Sequence, residues 1–184
     1  DSLIIDNSFS DIIPRYAKGY LGQNTIEIPA TQTDLDFFNR IGGNVKLETV
    51  KFDLSLENYI GVDARATLKS LKAINTNTNK TVTLTTSSSS VNINRASENG
   101  GIVTPSHAYF PLTTSNSNIK DLIENLPNKM EYQLKVTMNP LGNISGSNDF
   151  IYTDKLLNGF LEMRVPLSFI ANNLTLTNTL NFNI

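Results

Sequence analysis

The chain reads as an all-β protein, an antiparallel β-sandwich with two short helices. Three observations predict this. Apolar residues recur at every second position in several separate runs, the mark of strands with one buried face. Clusters of Asn, Gly, Ser and Pro punctuate those runs at short intervals. Only two brief stretches carry a helical period.

The most regular runs are 130–138 and 161–169. Met130, Tyr132, Leu134, Val136 and Met138 share one parity, and Leu161, Met163, Val165, Leu167 and Phe169 share another. The turn-rich connection N-P-L-G-N and its polar loop predict that the two runs pair as strands.

Taken in order, residues 1–23 predict a short strand and a loop, broken by Pro14, Gly19 and Gly22. Ile26 and Ile28 alternate in a short strand over 24–29. Residues 33–41 predict a helix: Thr33 with Asp36 forms a capping box, and Gly42-Gly43 ends it. A long strand follows over 45–58, its parity switching near Glu48–Thr49 as at a β-bulge. After a turn at 58–61, a second long strand over 62–74 is expected to run antiparallel to it. N-T-N-T-N-K at 75–80 is a hairpin tip, 81–85 and V-N-I-N are strands, and Glu98-Asn-Gly-Gly is a turn. Tyr109 and Phe110 lie on or near a strand.

Residues 118–126 predict the better helix, with Ile119, Leu122, Ile123 and Leu126 at i, i+3, i+4 and i+7. Asn118 is the expected cap and Pro127 the stop. The last strand spans 173–184. At 184 residues this is expected to be a single domain, 1–184. The start at Asp1 and the end inside an apolar alternation predict a fragment of a longer exported protein.

Formal net charge is -2. Without a basic excess the electrostatic footprint of a nucleic-acid binder is missing. Asn, Ser and Thr make up roughly a third of the chain while charged residues are 17%. Such an amide- and hydroxyl-rich surface fits an extracellular or envelope β-protein. The absence of Cys removes disulfides, thiolate catalysis and Cys-ligated metals.

No residue pattern predicts catalysis, a cofactor or a metal. His107 is the sole histidine, and no nucleophile elbow accompanies it. Asn148 with Asp149 reads as a turn, and Asp34 with Asp36 as helix N-terminal charge. Glycoside hydrolysis requires two facing carboxylates, for which Glu131 or Glu162 with Asp149 are the candidates. The one basic–aromatic cluster, Arg15, Tyr16 and Tyr20, is the candidate binding edge.

N-P-L-G-N-I-S-G-S-N-D-F-I-Y-T-D-K-L-L with L-E-M-R-V-P-L-S-F-I-A-N-N-L-T-L-T-N-T-L-N-F resembles a segment of Bacteroidota cell-envelope hypothetical lipoproteins. I-P-R-Y-A-K-G-Y-L-G, L-E-N-Y-I-G-V-D and L-K-A-I-N-T-N-T-N resemble the same family's N-terminal region. The resemblance implies an exported, β-rich, non-enzymatic protein of the periplasm, outer membrane or cell surface. Its membrane attachment would run only through a removed N-terminal lipid anchor. The expected function is therefore a non-catalytic envelope module acting by protein or glycan contact. The alternatives are a lipid-binding β-fold with an apolar groove and a carboxylate-pair hydrolase.

Overall fold

The computed structural model describes residues 13–36, 38, 45–169 and 171–183. It is mainly β, with several antiparallel sheets and one short helix among the described residues. The strands are β1 (Tyr16–Lys18), β2 (Asn24–Asp34), β3 (Lys51–Asn58), β4 (Ala64–Asn75), β5 (Lys80–Thr83), β6 (Ser90–Ile93), β7 (Ser97–Asn99), β8 (Ile102–Thr104), β9 (Ser106–Thr113), β10 (Lys129–Met138), β11 (Phe150–Tyr152), β12 (Leu157–Phe169) and β13 (Ala171–Asn183). Helix α1 (Ile119–Glu124) precedes β10.

A five-stranded sheet runs β2-β10-β4-β5, with β6 on β4 beside β5. A four-stranded sheet runs β13-β12-β3-β9. Two small pairs, β1-β11 and β7-β8, complete the set. Every pairing is antiparallel.

One apolar cluster takes Phe52, Phe110 and Leu112 from the four-stranded sheet and Leu71, Ala73 and Met130 from the five-stranded one. Ile119, Leu122 and Ile123 of α1 are completely buried in it, as the helical spacing predicts. In β9 the alternation is strict: Ala108, Phe110 and Leu112 point in, while His107, Tyr109 and Pro111 point out. Gly61 is required at its position, because a Cβ there would overlap the ring of Phe150, whose carbonyl accepts the Gly61 N–H at 2.9 Å.

The structure departs from the sequence reading at several points. The runs at 130–138 and 161–169 do not pair: β10 sits between β2 and β4, and β12 between β13 and β3. The strand expected over 45–58 begins at Lys51. Val45, Leu47 and Val50 are buried in irregular chain, which explains the parity switch without a bulge. β3 and β4 belong to different sheets and so are not partners. The 24–29 strand continues to Asp34 and takes in Thr33, the residue expected to cap a helix. Asp34 instead pairs with Lys129 at 3.1 Å. The rest of that predicted helix lies largely outside the described residues. Asn118 does not cap α1 through its side chain. Its amide is tied to residues 83–85 instead, accepting from Thr85 N–H at 2.7 Å and donating to Thr83 C=O at 3.0 Å.

Candidate functional site

Two surface regions gather aromatic and charged side chains, and their geometries differ. The first is the corner where β1 meets β11. Tyr16 and Tyr152 are register partners, with ring centroids 4.6 Å apart. Both donate their hydroxyls to the carboxylate of Glu98 on β7, Tyr16 at 3.0 Å. Lys155 Nζ lies 5.7 Å from the Tyr152 ring centroid. The hydrogen bond to Glu98, with desolvation and the negative charge nearby, pushes the Tyr152 phenol up to about 12. The same bond from Tyr152 holds the Glu98 carboxyl below its ordinary range, against desolvation, helped by Tyr16 and Lys18.

Of the predicted binding edge, the structure thus engages Tyr16 in a clasp joining β1, β7 and β11. Arg15 contributes its carbonyl to Thr153 N–H at 3.2 Å, and Tyr20 is exposed on the following loop.

Behind this corner is a polar cluster that sequence reasoning missed. Asp149, expected as a turn former, is fully buried. It accepts from Asn139 Nδ2 at 2.7 Å and Leu21 N–H at 3.1 Å, and faces Arg95 Nη1 at 3.3 Å. Arg95 also pairs with Asp63. Burial pushes the Asp149 carboxyl up, but hydrogen bonds from Ser145, Leu21 and Asn139 and the Arg95 charge outweigh it and hold the group below the usual range. A buried carboxylate satisfied in this way fixes loops in place.

The second region is the outward face of β9–β3–β12. Register sets its rows. Tyr109, Ser55 and Phe160 lie abreast, Pro111, Asp53 and Glu162 form the next row, and Thr113, Lys51 and Arg164 the third. On the other side of the aromatic row are His107, Glu57 and Asn158. Tyr109 is 66% and Phe160 37% exposed. A cleft of about 320 Å³ opens here, lined by Lys51, Asp53, Ser55, Tyr109, Pro111 and Glu162.

Asp53 and Glu162 are directly opposed across the β3–β12 ladder, which alone would be destabilising. Each carboxylate is neutralised along its own strand, Asp53 by Lys51 at 2.8 Å and Glu162 by Arg164 at 2.7 Å. The Arg164 hydrogen bond lowers the Glu162 pKa, against desolvation and with help from the charges of Arg164 and Lys51.

The carboxylates considered for hydrolysis are held apart by separate partners. Glu131 on β10 pairs with Lys72 at 2.7 Å, Glu162 with Arg164, and Asp149 with Arg95. Glu131 is held low by Gln32 and Lys72. The carboxylate that does oppose Glu162 is Asp53, and only the β3–β12 register brings the two together. The alternation of β3 and β9 could have flagged Asp53 and Tyr109 as outward-facing.

No group of three or more His, Cys, Asp or Glu among the described residues has metal-binding geometry. No helix among them is long and apolar enough to cross a membrane. No protein-family model, curated protein or solved structure matches the chain.

Proposed function

We propose that this chain is a non-catalytic β-sandwich module of a bacterial cell envelope, exported and acting by contact, and that it holds a glycan on the outward face of β9–β3–β12. The sandwich reading has the two larger sheets packed face to face in one domain. It is supported by two apolar clusters, each of which draws on both. Export is supported by the Asn-, Ser- and Thr-rich, charge-poor composition.

One observation carries the contact surface. Two exposed aromatic rings lie in one register row, beside a row of opposed carboxylates that, with Tyr109, line a cleft. Aromatic faces stack on the apolar faces of sugars, and ionised carboxylates are strong acceptors for hydroxyls. A protein partner is the other form of contact this face could make.

A hydrolase is less well supported. Glycoside cleavage needs one carboxyl held protonated as the acid. Glu162 is pushed the opposite way by Arg164. A lipid groove rested on the length of two strands, over 45–58 and 62–74; β4 is long, Ala64–Asn75, but β3 starts only at Lys51, and the two enter different sheets.

The test is co-sedimentation with polysaccharide-bearing envelope fractions. The native chain should sediment with them and Tyr109→Ala should stay in solution. Equal sedimentation of both would remove this face from the proposal.

A further inference from the structure

The charge and spacing of the β9–β3–β12 face say more about its occupant. Lys51 and Arg164 are each engaged by a carboxylate on their own strand, at 2.8 and 2.7 Å. Beyond the aromatic row lies Glu57, with His107 Nδ1 3.9 Å from its carboxylate. Lys51, Arg164 and His107 face three carboxylates, Asp53, Glu162 and Glu57, so among the described residues this face has no spare positive charge for a sulfate, phosphate or uronate.

The two rings are two strands apart. At the usual strand spacing this places their backbones about 9.5 Å apart, the length of two linked pyranose rings. The row runs across the strands, perpendicular to the β-ladder direction. A chain stacked on both rings must therefore cross β9, β3 and β12 in turn, passing over Ser55. To present an apolar face to Tyr109 and again to Phe160, its sugars need their hydroxyls equatorial, so that the ring C–H groups are bare. Those equatorial hydroxyls then project sideways, over Asp53 and Glu162 in the adjoining row.

We infer that the occupant is a neutral, unbranched glycan of equatorially linked pyranoses, stacked on Tyr109 and Phe160 and hydrogen-bonded at its edge by Asp53 and Glu162. This rests on the reading of this face as the contact surface and adds the chemical class of its ligand.

The experiment is calorimetric titration of the full chain with cellohexaose and xylohexaose, and with oligomers of galacturonate and of alginate as the anionic arm. A neutral oligosaccharide should bind. Tyr109→Ala and Phe160→Ala should each weaken it by about tenfold, as expected for loss of one aromatic stacking contact. Raising the salt should change the affinity little, because no net charge is neutralised.

Binding of the anionic oligomers alone, lost in Tyr109→Ala, would overturn the neutral class while leaving the face as the contact surface. Neutral binding indifferent to both substitutions would overturn the face as well. Failure of every oligosaccharide would overturn the glycan class. The envelope co-sedimentation of Tyr109→Ala would then still decide for or against the face.

Discussion

Tyr16 and Tyr152 donate their hydroxyls to one carboxylate and lie against each other, whereas Tyr109 and Phe160 share an outward row of a sheet; Tyr16 and Phe160 are exposed to nearly the same degree, 39% and 37%, so the bonding of the rings and not their exposure separates the two regions. The Tyr109 hydroxyl has no partner among the described residues. At the corner, aromatic side chains join segments far apart in sequence: Glu98 ties β7 to β1 and β11, which pair with each other. On the face, the β3–β9 and β3–β12 ladders hold the strands. An aromatic whose hydroxyl and ring are both held by neighbours is a fastener. One whose ring is bare on a rigid support is available for recognition.

The largest expected effect tests the corner. Asp149→Ala leaves the Asn139 amide and the Leu21 N–H without their shared acceptor, while Arg95 keeps Asp63. Each buried donor left unsatisfied costs about 1–3 kcal/mol, to be read as a drop in urea midpoint at constant slope. Next is Gly61→Ala, which drives a methyl into the buried Phe150 ring beside the same corner. Overpacking of this kind costs about 1–3 kcal/mol, read on the same urea curve.

Two pH effects follow. Folded Asp149 gives up its proton at a lower pH than it does in the unfolded chain, so acid favours the unfolded state. Its contribution is complete above the ordinary Asp pKa and is lost as pH falls towards the depressed folded value. Tyr152 behaves in the opposite sense. Its phenol is raised from 10.0 to about 12, so the clasp contributes fully below pH 10.0 and is lost as pH rises through about 12. A phenolate absorbance titration should show a late-ionising step that vanishes in Tyr152→Phe.

The smallest effect belongs to the face. Tyr109→Ala should shift stability by no more than about 0.5 kcal/mol, as for an ordinary exposed position. A larger loss would place Tyr109 with the fasteners.

The sequence showed strands more clearly than their partners. Period-two alternation marks a strand and its buried face, and β10 and β12 lie where it predicts them. Alternation says nothing about which strand lies alongside, so two neighbouring runs were joined that in fact enter different sheets. The helical period found α1 because Ile119, Leu122 and Ile123 must share one face to be buried. The capping box at Thr33 misled because β2 extends through that position.

The site was less legible still. Asp149 looks like any turn residue until Arg95, fifty-four positions away, is brought to it. Tyr109 and Phe160 form a row only through Ser55 of β3, which lies far from both in sequence. Long-range register assembles both groups, and a single sequence carries no local sign of it.

The most direct test compares the two regions with one ligand. Affinity for a neutral hexasaccharide should be measured side by side for Tyr109→Ala and Tyr152→Phe. The account predicts about tenfold weaker binding for Tyr109→Ala and native affinity for Tyr152→Phe. Native affinity in Tyr109→Ala with loss in Tyr152→Phe would contradict it.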